Sequence, residues 1–488
     1  MSTDIIKKQS SPFEIRMKYF GLPLALIVLA FIWTMPTPEG LAYNAKMALG
    51  IFSFALILWV TNGIPNYATS LIVIILLPLT GAWSEADALG VFGYEVIWLM
   101  IAAFVIASGM EKSGLAKRIA LLLIKTMGKS TNTVLIVLMV TNFFIAFVVP
   151  STTARAAMLL PIVMLITEIF EVGSVEQSDI NFGKLLALQG IHANNLSTAA
   201  IVTATSSQIL AISYIKDLTG TNISWMDWFV ASAPVTVLAL VSSFFIGKIL
   251  YKTDNKKASS EKMKYLEDEY NKRGKLNIME KKAIVIFGIT IFLWATDSLH
   301  VKMFGFQLSL VIVAIISAAL FFLPHIGILK WKEAKISWNL LIFSCGAYAG
   351  GLALDATGLA SWVLNGIFSH MNLSNMSFFA LFAIITFIAS FSHFVFTSKT
   401  VRTIILIPLI ISIAQIAKVN PVSLALPAAL TIADTITLPP HSKVNLIYYG
   451  TGTFTVLEQL VYGILVLLAK WIILLVASFT WFKIIGIC

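Results

Sequence analysis

Long apolar runs joined by short polar turns fill most of this chain, and within the runs apolar and polar residues do not alternate. Phe229 to Gly247 and Gly305 to Leu323 contain no charged residue. Runs of this kind match the roughly 20 residues a helix needs to cross a bilayer, whereas a transmembrane strand would alternate. The pattern predicts an all-α polytopic membrane protein with crossings near 20–35, 41–61, 64–82, 91–112, 184–214, 228–251, 282–297, 305–323, 337–357, 421–449 and 456–482, eleven in all. Two further apolar blocks, 131–170 and 375–416, are too long for one crossing and polar at their centres. Re-entrant hairpins, which return to the side they left, have that form.

One long polar segment, Lys252 to Lys282, divides the chain near its middle and carries Lys256, Lys257, Lys262, Lys264, Lys272, Arg273 and Lys275. With the N-terminus cytoplasmic, six crossings put this basic linker inside, and Lys330, Lys332 and Lys335 fall inside two crossings later, as the positive-inside rule requires. Glu85 and Asp87 then lie outside, and Cys488 ends the chain on the extracellular side of the cell membrane. Lys7, Lys8, Arg16 and Lys18 precede the first apolar run with no small-residue cleavage site after it, so an uncleaved first helix is expected. With that helix set apart, each half has five crossings. An odd number gives the halves opposite orientations.

Composition narrows the function. A chain of 488 residues that is 58% hydrophobic and 12% charged is too apolar for soluble domains. Its net charge of +10 gathers in membrane-flanking loops, so no nucleic-acid partner is expected. Cys345 and Cys488 make neither a disulfide framework nor a zinc site. No metal, cofactor or enzymatic motif is read from the sequence; HExxH, GxSxG and CxxC are all missing.

An internal repeat gives the polar centres meaning. Ser151-Thr152-Thr153-Ala154-Arg155 with Pro161 recurs, at one constant offset, as Ser398-Lys399-Thr400-Val401-Arg402 with Pro408. Each copy lies mid-way along one hairpin candidate. A weaker pair joins Gly109 to Ala116 with Gly350 to Ala360; Lys117, Arg118 and Lys125 follow the first copy, while Ser361 to His370 has no lysine or arginine. Both are expected to be short interfacial helices on opposite faces, with Lys112, Arg118 and Lys125 as interface anchors and Gly114 and Gly358 as helix ends.

Hydroxyls and cations at membrane depth are costly unless paired or wetted, so clusters of them mark a cavity or path. Four occur: Ser151 to Arg155, His192 to Gln208, Thr397 to Arg402, and Asp434 to Asn445. Two are hairpin tips and two are expected breaks within helices. At each tip, hydroxyls, free N–H groups and the positive end of the following helix suit a carboxylate. Arg155, Lys399, Arg402 and Lys443 outnumber the nearby acids, of which Asp434 is the clearest, and surplus positive charge calls for an anionic ligand. Single hydroxyls of this kind often serve only as helix glue. His192, His393 and His441 read as packing or pore-lining residues without metal-ligand spacing.

On these residues the chain resembles the divalent-anion/sodium symporter family. The tip motifs take the places of the family's Ser-Asn-Thr motifs, and Ala156 to Ile162 is family-like. Ile436 to Gly452 is similar to the family's second unwound helix, with the first near Asn194 to Gln208. The resemblance implies a homodimeric elevator carrying di- or tricarboxylates such as succinate, malate, 2-oxoglutarate or citrate. Its scaffold would be 1–128 and 283–370, joined by the linker 252–282, and its transport domain 129–251 and 371–488. Carried over, the substrate residues are Ser151, Thr152, Thr153, Ser398, Lys399, Thr400, Asn195 and Asn445. The family's motif Asn is Thr152 in one copy and Lys399 in the other, and a lysine repels sodium. Arg155, Lys399, Arg402 and Lys443 are therefore expected to replace the sodium ions, as in the family's exchanger branch. A sodium-coupled symporter, an anion channel and a membrane enzyme are the competing readings.

Overall fold

The computed structural model describes residues 12–61, 63–128, 130–170, 177–257, 264, 267–268, 270–359, 362, 376–394 and 398–488. Lys7 and Lys8, most of the segment 361–370, Lys262 and Thr397 lie outside the described residues. In chain order the helices are α1 Pro12–Thr34, α2 Tyr43–Thr61, α3 Asn66–Leu79, α4 Glu85–Gly90, α5 Glu95–Ser113, α6 Leu115–Met127, α7 Thr131–Val148, α8 Thr152–Ile169, α9 Gln177–Ala200, α10 Ser206–Thr219 and α11 Trp225–Leu250. They continue with α12 Ile278–Ala295, α13 His300–Phe304, α14 Leu310–Phe322, α15 Trp338–Ala356, α16 Phe378–Phe391, α17 Lys399–Ile416, α18 Pro421–Ile432, α19 Lys443–Tyr449, α20 Val456–Phe479 and α21 Trp481–Ile484. The architecture is all-helical; among the described residues the one β contact is an isolated bridge between Ser130 and Lys257.

Local chemistry explains where these helices start and stop. Ser130 with Thr133, Ser224 with Asp227, Asn277 with Glu280 and Thr455 with Glu458 form reciprocal capping boxes that satisfy the first free N–H groups. Gly114 and Gly358 both have φ of 72°, the left-handed region that favours glycine, and each ends its helix as its place in the sequence implies.

By length and composition six helices among the described residues can cross a membrane, and a seventh if Ile278–Ala295 and Asp297–Phe304, bent by 68°, count as one span. Shorter apolar helices, including Asn66–Leu79 and Leu310–Phe322, take up other apolar runs. The expected runs 184–214 and 421–449 are each broken. A 3-10 turn at Val202–Ala204 separates α9 from α10, and another at Pro439–His441 separates α18 from α19.

The chain forms two compact units, Met1–Ile97 with Ser337–Leu373 and Trp98–Ile336 with Ser374–Cys488. In the first, Ala25 and Leu29 of α1 meet Phe54 and Leu58 of α2. Lys46 donates to the carbonyls of Trp33 and Met35 at 3.2 and 3.0 Å, capping the end of α1. Helices α3 and α15 cross closely at Gly346, where a Cβ would come within 2.4 Å of the Ser70 carbonyl oxygen. In the second unit α7 and α11 pack along α9, while α17 packs along both α10 and α18.

Arg118 is not the interface anchor that its amphipathic helix suggests. Its guanidinium is buried and grips Glu280 with two hydrogen bonds of 2.8 Å, tying α6 to α12. Those hydrogen bonds hold the Arg118 guanidinium above its ordinary basicity. The positive-inside anchoring role fails here because the basic linker's own acid neighbour, Glu280, sits within reach. Replacing Arg118 with Met removes two of the Glu280 carboxylate's hydrogen bonds, leaving those from Arg273 at 3.3 Å and the Asn277 N–H at 2.9 Å, and should destabilise the detergent-purified protein by about 1–3 kcal/mol. Thermal unfolding checks this, and an unchanged midpoint would remove the pair from the fold's supports.

Candidate functional site

Helices α8 and α17 begin in the same way. Ser151 and Ser398 stand just before them, and each hydroxyl oxygen accepts the backbone N–H three residues on, from Ala154 and Val401, at 3.3 Å. An oxygen that accepts at the helix end still has its O–H to give to a ligand. The constant offset between the tip motifs extends along both helices, each 18 residues long, so Pro161 and Pro408 fall at equal positions.

One turn of α9 gathers residues from both tips. Asn194 donates to the carbonyl of Thr152 at 3.1 Å, Thr198 accepts from Arg155, and the Asn195 side-chain oxygen accepts from the Lys399 ammonium at 2.9 Å. Thr435, in the second break, donates to that same Asn195 oxygen at 3.3 Å. Arg402 is held from the preceding segment, by the Ser392 hydroxyl at 2.9 Å and the Ala389 carbonyl at 3.1 Å. Thr153 is half-buried and Thr400 buried in the first turns of α8 and α17. Lys443, at the start of α19, is exposed. Asn445 turns inward to its own break, with its amide nitrogen on the carbonyls of Thr435 and Leu438 at 2.7 Å and its oxygen accepting from Ser442 at 2.9 Å.

The two breaks are stapled alike. Gln208 donates to the Thr198 carbonyl at 2.9 Å, as Asn445 does to Thr435, ten residues back in each case. From the long helix that follows, Trp228 donates to Ala199 at 3.0 Å and Gln459 to Ile436 at 3.1 Å. The sequence reading missed Gln208, Trp228 and Gln459 as staples, because three different side chains do one job and identity matching finds no repeat.

Electrostatics separates this region from ordinary helix packing. Among the described residues the buried acids are Asp179, Glu280 and Asp434. Each already faces a cation: Lys256 at 2.7 Å, Arg118 at 2.8 Å and Lys470 at 2.5 Å. No buried carboxylate is left for Arg155, Lys399 or Arg402. Nε and Nη1 of Arg155 and Nη1 of Arg402 are buried with no hydrogen-bond partner. Buried N–H groups without acceptors are costly, and an entering anion would satisfy them. Lys470 was also overlooked in the sequence, although a lone lysine inside the apolar run Val456–Phe479 is the kind of residue that marks function.

His192, His393 and His441 are buried and hydrogen-bonded to Ser243 at 3.2 Å, to Ser390 and Thr437 at 2.8 and 2.7 Å, and to Thr437 at 3.0 Å. No group of three metal-binding side chains occurs among the described residues. A cavity of about 570 Å³ lies in the first unit, lined by Asn44, Gly81 to Glu85 and Thr357, and contains none of the tip residues.

With the geometry in view, comparison with known proteins is informative. Residues 16–488 match the model of the sodium:sulfate symporter transmembrane region. The chain belongs to the sodium:sulfate symporter family. Among family relatives, the sodium-dependent dicarboxylate transporter SdcS of Staphylococcus saprophyticus is 27% identical over 99% of this chain and 94% of its own length. The L-tartrate/succinate antiporter of Escherichia coli is 25% identical over 69% of this chain and 72% of its own. The putative malate transporter YflS of Bacillus subtilis is 24% identical over 73% of both. Two solved transporters share the fold across 96% of this chain and 98% of theirs: YdaH of Alcanivorax borkumensis, with TM-score 0.54 and 13% identity, and MtrF of Neisseria gonorrhoeae, with 0.58 and 11%. This member of the sodium:sulfate symporter family is an integral membrane transporter and not an enzyme.

Gln208→Leu or Asn445→Leu removes the side-chain donor that bridges each break, at a cost of about 1 kcal/mol or more each. Melting of the purified variants should fall by similar amounts for the two; a loss confined to one would show that the breaks are supported differently.

Proposed function

We propose that this transporter exchanges small dicarboxylates, such as 2-oxoglutarate, malate or succinate, without sodium. The observation that carries this reading is the Lys399 ammonium bonded to Asn195, with no ion pair to an acid among the described residues. An ammonium has three donors and no acceptor, so it repels a metal cation and attracts a carboxylate. The unpartnered nitrogens of Arg155 and Arg402 add to the same field. In this reading Ser151, Thr152, Thr153, Ser398, Lys399, Thr400 and Asn195 contact the substrate. Asn445 holds the second break open to it, and Arg155, Arg402 and Lys443 balance its charge.

Fixed cations have a mechanistic consequence. A sodium-coupled carrier releases its cations with the substrate and returns uncharged, whereas this one would carry bare cations back through a low-dielectric barrier. A bound dianion removes that barrier, so the loaded carrier moves and the empty one stalls. Matching tips and breaks in the two halves support an inverted repeat of five crossings each, with re-entrant hairpins at 131–170 and 375–416. The elevator motion, the homodimer, the division into scaffold and transport domains, the eleven crossings and the orientation of the termini belong to the same proposal.

Sodium-coupled symport is the second reading, favoured by the similarity to SdcS. Reconstituted vesicles separate the two. Uptake of labelled succinate should require internal dicarboxylate and ignore sodium; equal rates into empty and preloaded vesicles would reject exchange. Lys399→Asn and Arg402→Ala should each slow exchange by about tenfold or more, the loss of one charge-assisted contact. Full activity in both would take these side chains out of the site.

A further inference from the structure

Asp434 is the acid nearest in sequence to the second break's site residues, yet its hydrogen bond and ion pair go to Lys470 and not to a site cation. Its Oδ2 accepts from the Lys470 ammonium at 2.5 Å, and Lys470 also donates to the Leu430 carbonyl at 2.9 Å. The two side chains are 0% and 2% exposed, and Asp434 Oδ1 is buried without a partner. The next residue, Thr435, shares the Asn195 oxygen with Lys399. A carboxylate with one idle oxygen therefore stands one residue from Thr435, which shares Lys399's acceptor, and Lys470 holds it.

The breaks do not need this pair. At the offset that matches Gln208 with Asn445, Asp434 corresponds to Ser197, and at the offset that matches Trp228 with Gln459, Lys470 corresponds to Ala239. The first half makes the same break and the same staples with a hydroxyl and a methyl. A buried ion pair is also weak support for stability compared with apolar packing of similar volume. Its presence in one half calls for a role in charge.

We propose that Lys470 sequesters the Asp434 carboxylate and thereby keeps the site cationic when empty, which makes it the residue that enforces exchange. The inference rests on the exchange reading above. With the pair intact, Asp434 and Lys470 cancel, and Lys399, Arg155 and Arg402 await the substrate. Without Lys470, the carboxylate pairs with Lys399, competes with the incoming dianion and gives the empty carrier its own counter-ion. Net transport should then appear where only exchange existed. Lys470 acts through Asp434 as a positioning residue and does not touch substrate.

The test uses the full chain in vesicles, comparing uptake of labelled succinate into vesicles that are empty or loaded with unlabelled succinate. The native protein should be faster into loaded vesicles by about tenfold or more, as a charged barrier implies. Lys470→Met should bring the two rates within about twofold and raise the half-saturating succinate concentration about tenfold, the worth of one charge-assisted contact. Lys470→Arg keeps the cation and should rescue strict exchange. Asp434→Asn with Lys470→Met removes both charges and should also restore strict exchange. Lys470→Met that stays exchange-only with native half-saturation overturns the inference, as does a double variant that transports into empty vesicles. If Lys470→Met fails to fold, Asp434→Asn decides: a lowered half-saturating concentration supports the inference, and an unchanged or raised one overturns it. Equal native rates into empty and loaded vesicles would instead reject the exchange reading, whatever the variants do.

Discussion

The contact on which the rest depends is the hydrogen bond from the Lys399 ammonium to the Asn195 amide oxygen at 2.9 Å. Buried cations in a bilayer are tolerated only with an acid, a ring of acceptors or a ligand to meet them. Here the acceptors are a single amide oxygen, two hydroxyls and one carbonyl, while the buried acids are engaged elsewhere. Such a site is poised for an anion, and its polarity follows from which partners are missing as much as from which are present.

Holding that charge requires irregular backbone at a depth where irregular backbone is expensive. The chain manages this with side-chain amides and an indole. Gln208 and Asn445 bridge back across their breaks, and Trp228 and Gln459 reach in from the following helix. Carbonyls freed by each break are thus satisfied without water, as membrane-embedded backbone demands. Gly463 belongs to this design: a Cβ there would lie 2.8 Å from the Thr437 Cα, so only glycine lets α20 pass so close to the break.

Much of this was legible in the sequence, for reasons that can be stated. The tips showed themselves because Ser151 and Ser398, Arg155 and Arg402, and Pro161 and Pro408 keep both identity and spacing. The breaks showed themselves as polar residues within apolar runs. The staples stayed hidden because their offset differs from that of the tips: the chain from Pro408 to Thr435 is ten residues shorter than that from Pro161 to Thr198, 27 against 37. Lys470 was masked by averaging, since one lysine barely changes the apolar character of Val456–Phe479. Arg118 misled because an amphipathic helix with basic residues reads as interfacial, and its partner Glu280 lies at the far end of the linker, too far along the chain for local pattern to find.

The central claim is that fixed side-chain cations occupy the role of sodium. The most direct measurement is equilibrium binding of labelled succinate to the purified protein, titrated in sodium buffer and again with sodium replaced by choline at equal ionic strength. Superimposable isotherms are predicted, because Lys399, Arg155 and Arg402 are present in both. Binding that vanishes in choline and returns with added sodium would contradict the account.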